Sequence, residues 1–299
     1  MAERLVPGRD FVDDDEDARE GGDHGTRVAN LIAAAANGVG TTGACPNCMI
    51  MPVRVLGERA GDGNVVGATA DAAAGIVWAA DHGAQVINMS FATVTNSSML
   101  REAVQHAAGK GAVLVGSAGD TYGSQRHYPA AFDEVIAVSS TGDPKNNSLS
   151  DRWIDLQTPS VFLVMDGAGR MSGLGGTSAA AAIVSGVAGL VLSVRPGSSD
   201  HEVRDAITRA ARTPLKQVSY APPLLDAAGA VTGADRTDRV APVITALNGV
   251  TEGQLLDGRT KWLTASATDD RAVARYEFLI DGRAPTCGRS PCLRWSAIS

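Results

Sequence analysis

GNVVGATADAAAGIVWAADHGAQVINMS, residues 63–90, carries both halves of an α/β repeat. Residues 65–82 space their apolar side chains for a helix, and Gly83 stands where a helix stop belongs. Residues 86–90 then form a short run of strand formers. Upstream, residues 24–37 read as a helix with Val28, Leu31, Ile32 and Ala35 on one face. Residues 49–56 (MIMPVRVL) read as a strand. Downstream come a helix over 99–109 ending before Gly111, then β-rich runs at 112–115 and 135–139. A small-residue helix over 178–194 and an amphipathic one over 200–211 close the series. This alternation predicts an α/β fold, a mostly parallel sheet with helices on both faces.

The chain has 299 residues, 44% hydrophobic and 20% charged, enough to bury a large core plus a smaller one. Its net charge of -7 argues against nucleic acid as a partner and reads as a solubility device. The most apolar run, 179–192, is interrupted by Ser185, Gly186 and Gly189 and falls short of the roughly 20 residues a bilayer needs. It is expected to be a buried helix, and no membrane partner is expected. Residues 1–17 hold no apolar stretch of the secretory type, so either the protein is cytoplasmic or its gene product begins further upstream.

Four cysteines form two local pairs, Cys45 and Cys48 in CPNC, Cys287 and Cys292 in CGRSPC. One zinc site would have to join segments about 240 residues apart. Two short-loop disulfides are favoured, which would fit an oxidising compartment. Reduced structural thiols are the alternative.

The pattern changes after Gly233. Residues 234–242 (ADRTDRVAP) read as a linker, and helical spacing stops beyond them. Residues 262–267 and 275–280 alternate like strands, and Asp281-Gly282 is a turn signal. A small all-β unit over 243–299 is the expectation.

Three segments carry candidate chemistry. His24, in DHGTRVA (23–29), stands at a helix start, where a neutral imidazole facing a cleft can accept a proton. A lone histidine is more often structural or solvated. Ser178 follows Gly175-Gly176-Thr177 at the start of the small-residue helix, where glycines let a substrate backbone approach. An ordinary N-cap serine is the commoner case. Residues 113–120 (VLVGSAGD) end an apolar strand in a Gly-rich turn whose polar tip could face a developing oxyanion, or merely form the turn.

Together these segments resemble the subtilase family of serine proteases. Residues 10–34 (DFVDDDEDAREGGDHGTRVANLIAA) are similar to its histidine motif with the preceding loop, and 63–90 to its substrate-strand region. Residues 113–120 and 128–140 (YPAAFDEVIAVSS) are similar to its oxyanion segment and next strand, and 175–190 (GGTSAAAAIVSGVAGL) to its nucleophile motif. The resemblance spans about residues 8–231 in the family's order. It implies a subtilisin-like fold and a serine endopeptidase working through an acyl-enzyme, with His24 as general base and Ser178 as nucleophile. Ser90, Phe91 and Ala92 would form one edge, and Gly116, Ser117 and Ala118 the other, of a site for an extended polypeptide. Asp120 would stand in the oxyanion hole. No cofactor is implied; the family's calcium loop is only partly recognisable at 37–43, so structural calcium stays open and no metal is assigned. The resemblance implies a monomer, extracellular or at the cell surface, with its signal peptide upstream. The tail over 240–282 resembles part of a bacterial immunoglobulin-like module.

The departures carry chemistry too. The family's catalytic aspartate ends an apolar strand a few dozen residues before the histidine, and no such strand stands before His24. Asp10 and Asp13, Asp14 and Asp15 match the later acidic loop instead. The peptidase domain is therefore expected over 1–233 without its first strand and aspartate, and the isolated chain is expected to be weak or inactive. Asp120 replaces the usual asparagine, Ala92 a glycine, Ala179 a methionine, and Ala181, Ala182 and Ile183 the usual Thr-Pro-His. A non-catalytic peptide-binding relative is the alternative function. An α/β-hydrolase esterase is disfavoured, because Ala180 takes the last glycine of the G-x-S-x-G elbow and the histidine precedes the serine.

Overall fold

The computed structural model describes residues 4–19, 23–58, 65–120, 125–141, 152–159, 161–212, 222–233, 243–248 and 264–268. In chain order the first elements are β1 (Arg9–Asp10), α1 (His24–Ala33), β2 (Val53–Arg54), β3 (Gly57–Glu58), β4 (Val65–Val66) and α2 (Thr69–Asp81). The middle holds β5 (Val86–Met89), α3 (Ser98–Gly109), β6 (Val113–Ser117), β7 (Val135–Thr141) and β8 (Leu156–Pro159). Then follow β9 (Phe162–Met165), β10 (Met171–Leu174), α4 (Gly176–Val194), α5 (Asp200–Ala210) and α6 (Ala227–Thr232). Strands β11 (Val243–Asn248) and β12 (Thr264–Thr268) pair antiparallel. They lie in a second compact unit, Thr237–Ser299, distinct from the first, Met1–Arg236.

The central sheet has the order β5-β6-β7-β8, parallel throughout. Parallel strands need covered faces, and alternate residues of β6 meet two different cores. Leu114 points into one with Ala73 and Ile76 of α2 and Leu100 and Val104 of α3. Val113 and Val115 point into the other with Val184, Val187 and Val191 of α4 and Val203 and Ile207 of α5. The expected buried helix is α4, whose 19 residues are mostly enclosed. Its small residues serve two neighbours at once. Ala180 and Ala181 face the sheet, while Ala179 and Ala182 face Val28 and Leu31 of α1.

Several expected boundaries change. Helix α1 stops at Ala33, because Ala34 turns to ψ 136°. Residues 65–66 pair with β3 rather than opening a helix, and α2 starts only at Thr69. Between them Gly67 passes the chain of residues 55–56 so closely that a Cβ would lie 2.2 Å from the Val55 carbonyl oxygen. The strand expected over 49–56 shrinks to β2, paired with β1, plus a single bridge from Ile50 to Leu5. Strands β6 and β7 run on to Ser117 and Thr141. Helix α4 begins two residues early, at Gly176. Strand β8, the β9–β10 hairpin, α6 and β11 were not anticipated; they are short and lack a long periodic pattern. The alternating run at 275–280 and the turn at Asp281-Gly282 lie outside the described residues.

Candidate active site

The hairpin β9–β10 delivers the chain to the first turn of α4. Gly175 is extended, with φ -131° and ψ -179°, and Gly176 takes φ +77°, a left-handed backbone that favours glycine. A Cβ on Gly176 would stand 2.5 Å from Oδ2 of Asp120. Residues 119–120 and the helix start are tied together twice. The Gly119 N–H donates to Thr177 Oγ1 at 3.1 Å, and the Thr177 N–H donates to Asp120 Oδ1 at 2.7 Å. Asp120 is therefore an acceptor in this geometry, as an ionised carboxylate must be.

Ser178 follows, half-buried beside the end of β5. It exchanges two hydrogen bonds with Ser90. Ser178 Oγ donates to the Ser90 carbonyl at 3.2 Å, and Ser90 Oγ donates to the Ser178 carbonyl at 2.9 Å. The next polar groups extend this contact inward. Asn88 Nδ2 donates to Ser90 Oγ at 2.9 Å, and Ser185 Oγ donates to Asn88 Oδ1 at 2.9 Å.

His24 opens α1, half-buried. Val28, one turn later, shares a core with Ala179, while Ile32 lies opposite Gly186, where a Cβ would approach its carbonyl to 3.4 Å. The two helices thus run in the same sense, with His24 and Ser178 at the same end of the pair. The hairpin holds α1 in register. Arg27 Nη1 donates to the Gly173 carbonyl and Asn30 Nδ2 to the Met165 carbonyl, each at 3.0 Å, and Asp23 Oδ1 accepts from the Gly167 N–H at 3.1 Å.

Ser90, Phe91 and Ala92 leave the C-terminal end of β5, and Gly116 and Ser117 end β6, with Met89 paired to Gly116. Ser117 Oγ bridges the two segments by donating to the Phe91 carbonyl at 3.3 Å. Ligands of open α/β sheets bind outside these carboxyl ends. Ser117 and Ala118 are themselves buried, and the Ala118 N–H donates to the Val138 carbonyl at 2.9 Å.

The acidic-loop carboxylates are engaged locally. Asp10 is buried and accepts from Arg54 and from the N–H groups of Val12 and Asp13. Burial alone would push its carboxyl up; those hydrogen bonds and the Arg54 charge hold it below its ordinary value. Asp14 pairs with Arg9, and Asp17 with Arg19. Among the described residues, no three His, Cys, Asp or Glu side chains group as a metal site requires. Cys45 and Cys48 form a disulfide, with Cα atoms 5.4 Å apart. Cys287 and Cys292 lie outside the described residues.

Sequence reasoning did not assign roles to Thr177, Asn88 or Ser185. The last two stand as polar interruptions of apolar runs, which is the signal that could have singled them out.

A sequence model of the subtilase family matches residues 1–242. The chain belongs to the subtilase family. It is similar to thermitase of Thermoactinomyces vulgaris, 36% identical over 216 residues, which is 71% of this chain and 75% of that protein. A thermophilic serine proteinase of Bacillus sp. (strain AK1) is 37% identical over 213 residues, 70% of this chain but 51% of the relative. This subtilase chain thus spans about half the length of that proteinase. Among solved structures, a protease from Pseudoalteromonas arctica PAMC 21717 superposes with a TM-score of 0.68 at 29% identity, over 78% of this chain and 85% of that one.

Proposed function

We propose that this subtilase is a serine endopeptidase in which Ser178 attacks the peptide carbonyl and His24 takes its proton. The observation that carries the reading is the placement of both residues at the same end of the packed α1–α4 pair, in the first turns of their helices. There Ser178 is half-buried, and a polypeptide could lie extended against the ends of β5 and β6. The acyl-enzyme would form between Ser178 Oγ and the substrate carbonyl carbon, with the proton passing through His24 to the leaving amine.

The triad aspartate would be supplied from N-terminal to this chain, on a strand lying beside β5, the edge of the described sheet. The acidic-loop carboxylates already engaged by Arg9, Arg19 and Arg54 support that reading. By it, the 299-residue chain alone is weak or inactive, since losing a triad aspartate costs on the order of 10⁴ in kcat in related chemistry. The disulfide supports secretion, with a signal peptide further upstream. The β11–β12 pair supports an immunoglobulin-like reading of the second unit. The protein would act as a monomer on polypeptides, without nucleic acid, membrane or cofactor.

One observation favours the second reading, a peptide-binding relative without turnover. Asp120 offers an accepting carboxylate where the reaction calls for a donor. A fluorophosphonate probe separates the two. Labelling at Ser178 that disappears in Ser178→Ala and in His24→Ala supports the peptidase, in the chain or in an N-terminally extended protein. Labelling elsewhere, or none in either protein while unstructured peptides still bind, supports the binding module.

A further inference from the structure

Three side chains continue inward from the nucleophile, and each has a defined direction. Ser185 is buried in α4, seven residues after Ser178 and so on the same helix face. A buried helical serine commonly bonds back to the carbonyl four residues earlier. Ser185 instead donates its one proton across to Asn88 Oδ1 in β5, at 2.9 Å. That bond orients the amide, because Oδ1 is then taken and Nδ2 must point the other way. Nδ2 donates to Ser90 Oγ at 2.9 Å. With an N–H already directed at its oxygen, Ser90 turns its own proton to the Ser178 carbonyl, at 2.9 Å. Each donor leaves the next group one orientation, and hydrogen bonds in such a chain polarise one another.

We infer that Ser185, acting through Asn88 and Ser90, is a positioning residue that sets the orientation of the Ser178 backbone and so of its hydroxyl. The inference rests on Ser178 being the nucleophile of the proposed peptidase. The effect is mechanical. The Ser178 carbonyl belongs to the first turn of α4, and clamping it to Ser90 fixes the Cα–Cβ direction from which Oγ leaves. The reciprocal bond from Ser178 Oγ to the Ser90 carbonyl holds the other side. Ser185 touches neither substrate nor reacting atoms, so its loss should lower the rate of attack and leave affinity unchanged.

The test measures fluorophosphonate inactivation of the full chain, resolved into a maximal rate and a half-saturating concentration. Ser185→Ala should lower the maximal rate about fivefold, the scale of one neutral hydrogen bond. The half-saturating concentration and the pH midpoint should stay as they were, while Tm falls modestly because Asn88 Oδ1 loses its buried donor. Ser185→Thr, which keeps the hydroxyl, should restore the rate. Asn88→Asp can still accept from Ser185 but cannot donate to Ser90, and should lose at least as much. Maximal rates of Ser185→Ala and Asn88→Asp within twofold of the parent would overturn the inference. If the parent chain does not label at all, the inference is judged by NMR with ¹³C-carbonyl serine and ¹⁵N-asparagine. Ser185→Ala must then shift the Ser178 carbonyl resonance and speed exchange of the Asn88 side-chain amide protons. An unmoved Ser178 carbonyl would overturn it, whatever the fate of the peptidase reading.

Discussion

The Asp120 carboxylate accepts the backbone N–H of Thr177, one residue before Ser178, at 2.7 Å. A negative group thus caps the start of α4, where the helix dipole favours it. A tetrahedral oxyanion would call on the same region for donors. Carboxylate and oxyanion repel each other, whereas an asparagine could accept from Thr177 and still present two N–H groups. Losing one oxyanion donor costs on the order of 10²–10³ in kcat, a magnitude known from a subtilisin. Asp120→Asn, in a protein with its triad complete, should therefore raise kcat more than tenfold at pH 8 with little change in KM. Peptide hydrolysis followed under saturating and limiting substrate checks it; a neutral or lower kcat would remove Asp120 from the oxyanion hole.

A second expectation concerns completeness of the site. Adding the proposed N-terminal strand should raise peptidase activity and Tm together, because it would supply the aspartate and pair with β5, the edge strand among the described residues. Casein hydrolysis and thermal scans of the two proteins test it. A gain in Tm without any activity would leave the binding module as the function.

The disulfide and α4 should be coupled energetically. The Cys45–Cys48 sulfurs pack on Gly189, where a Cβ would stand 2.7 Å from Cys48 Sγ. Gly189→Ala should destabilise the oxidised protein, although alanine in a helix is ordinarily better than glycine by about 1 kcal/mol. Replacing both cysteines by alanine should cost about 2 kcal/mol from loop entropy alone. In that background the penalty of Gly189→Ala should disappear or reverse. A double-mutant cycle by urea unfolding measures the coupling.

Asp10 gives a pH dependence of definite sign. Its folded carboxyl is held below its unfolded value, so its stabilisation is complete above the unfolded pKa of about 3.9. It is lost as pH falls through the folded value. The Tm difference between the parent and Asp10→Asn should be largest at neutral pH and shrink steadily below pH 4. A difference that grows on acidification would mean that the Arg54 pairing does not govern this carboxyl.

Much of the fold was legible because long periodic segments report burial directly. The helices at 69–81, 98–109 and 200–210 and the strands at 86–89 and 135–141 show apolar spacing that one covering partner explains. The start of α4 stood out for a different reason: glycines beside a polar residue mark close backbone approach, and a Cβ on Gly176 would meet Asp120 Oδ2 at 2.5 Å. Strands β8, β9 and β10 escaped because runs of only four residues are too short to show a period. Their pairing is a tertiary event.

What the sequence by itself determined is the order of elements, the two-faced burial of the sheet and the residue types at the helix starts. These follow from local spacing and from side-chain chemistry. Only the tertiary structure decided how those residues are used. It made Asp120 an acceptor for Thr177, joined Ser185 to Asn88 across 97 positions, and engaged Asp10 with Arg54. Hydrogen bonds between residues far apart in the chain depend on which faces the packing of α4 brings together, and a linear pattern does not encode that distance.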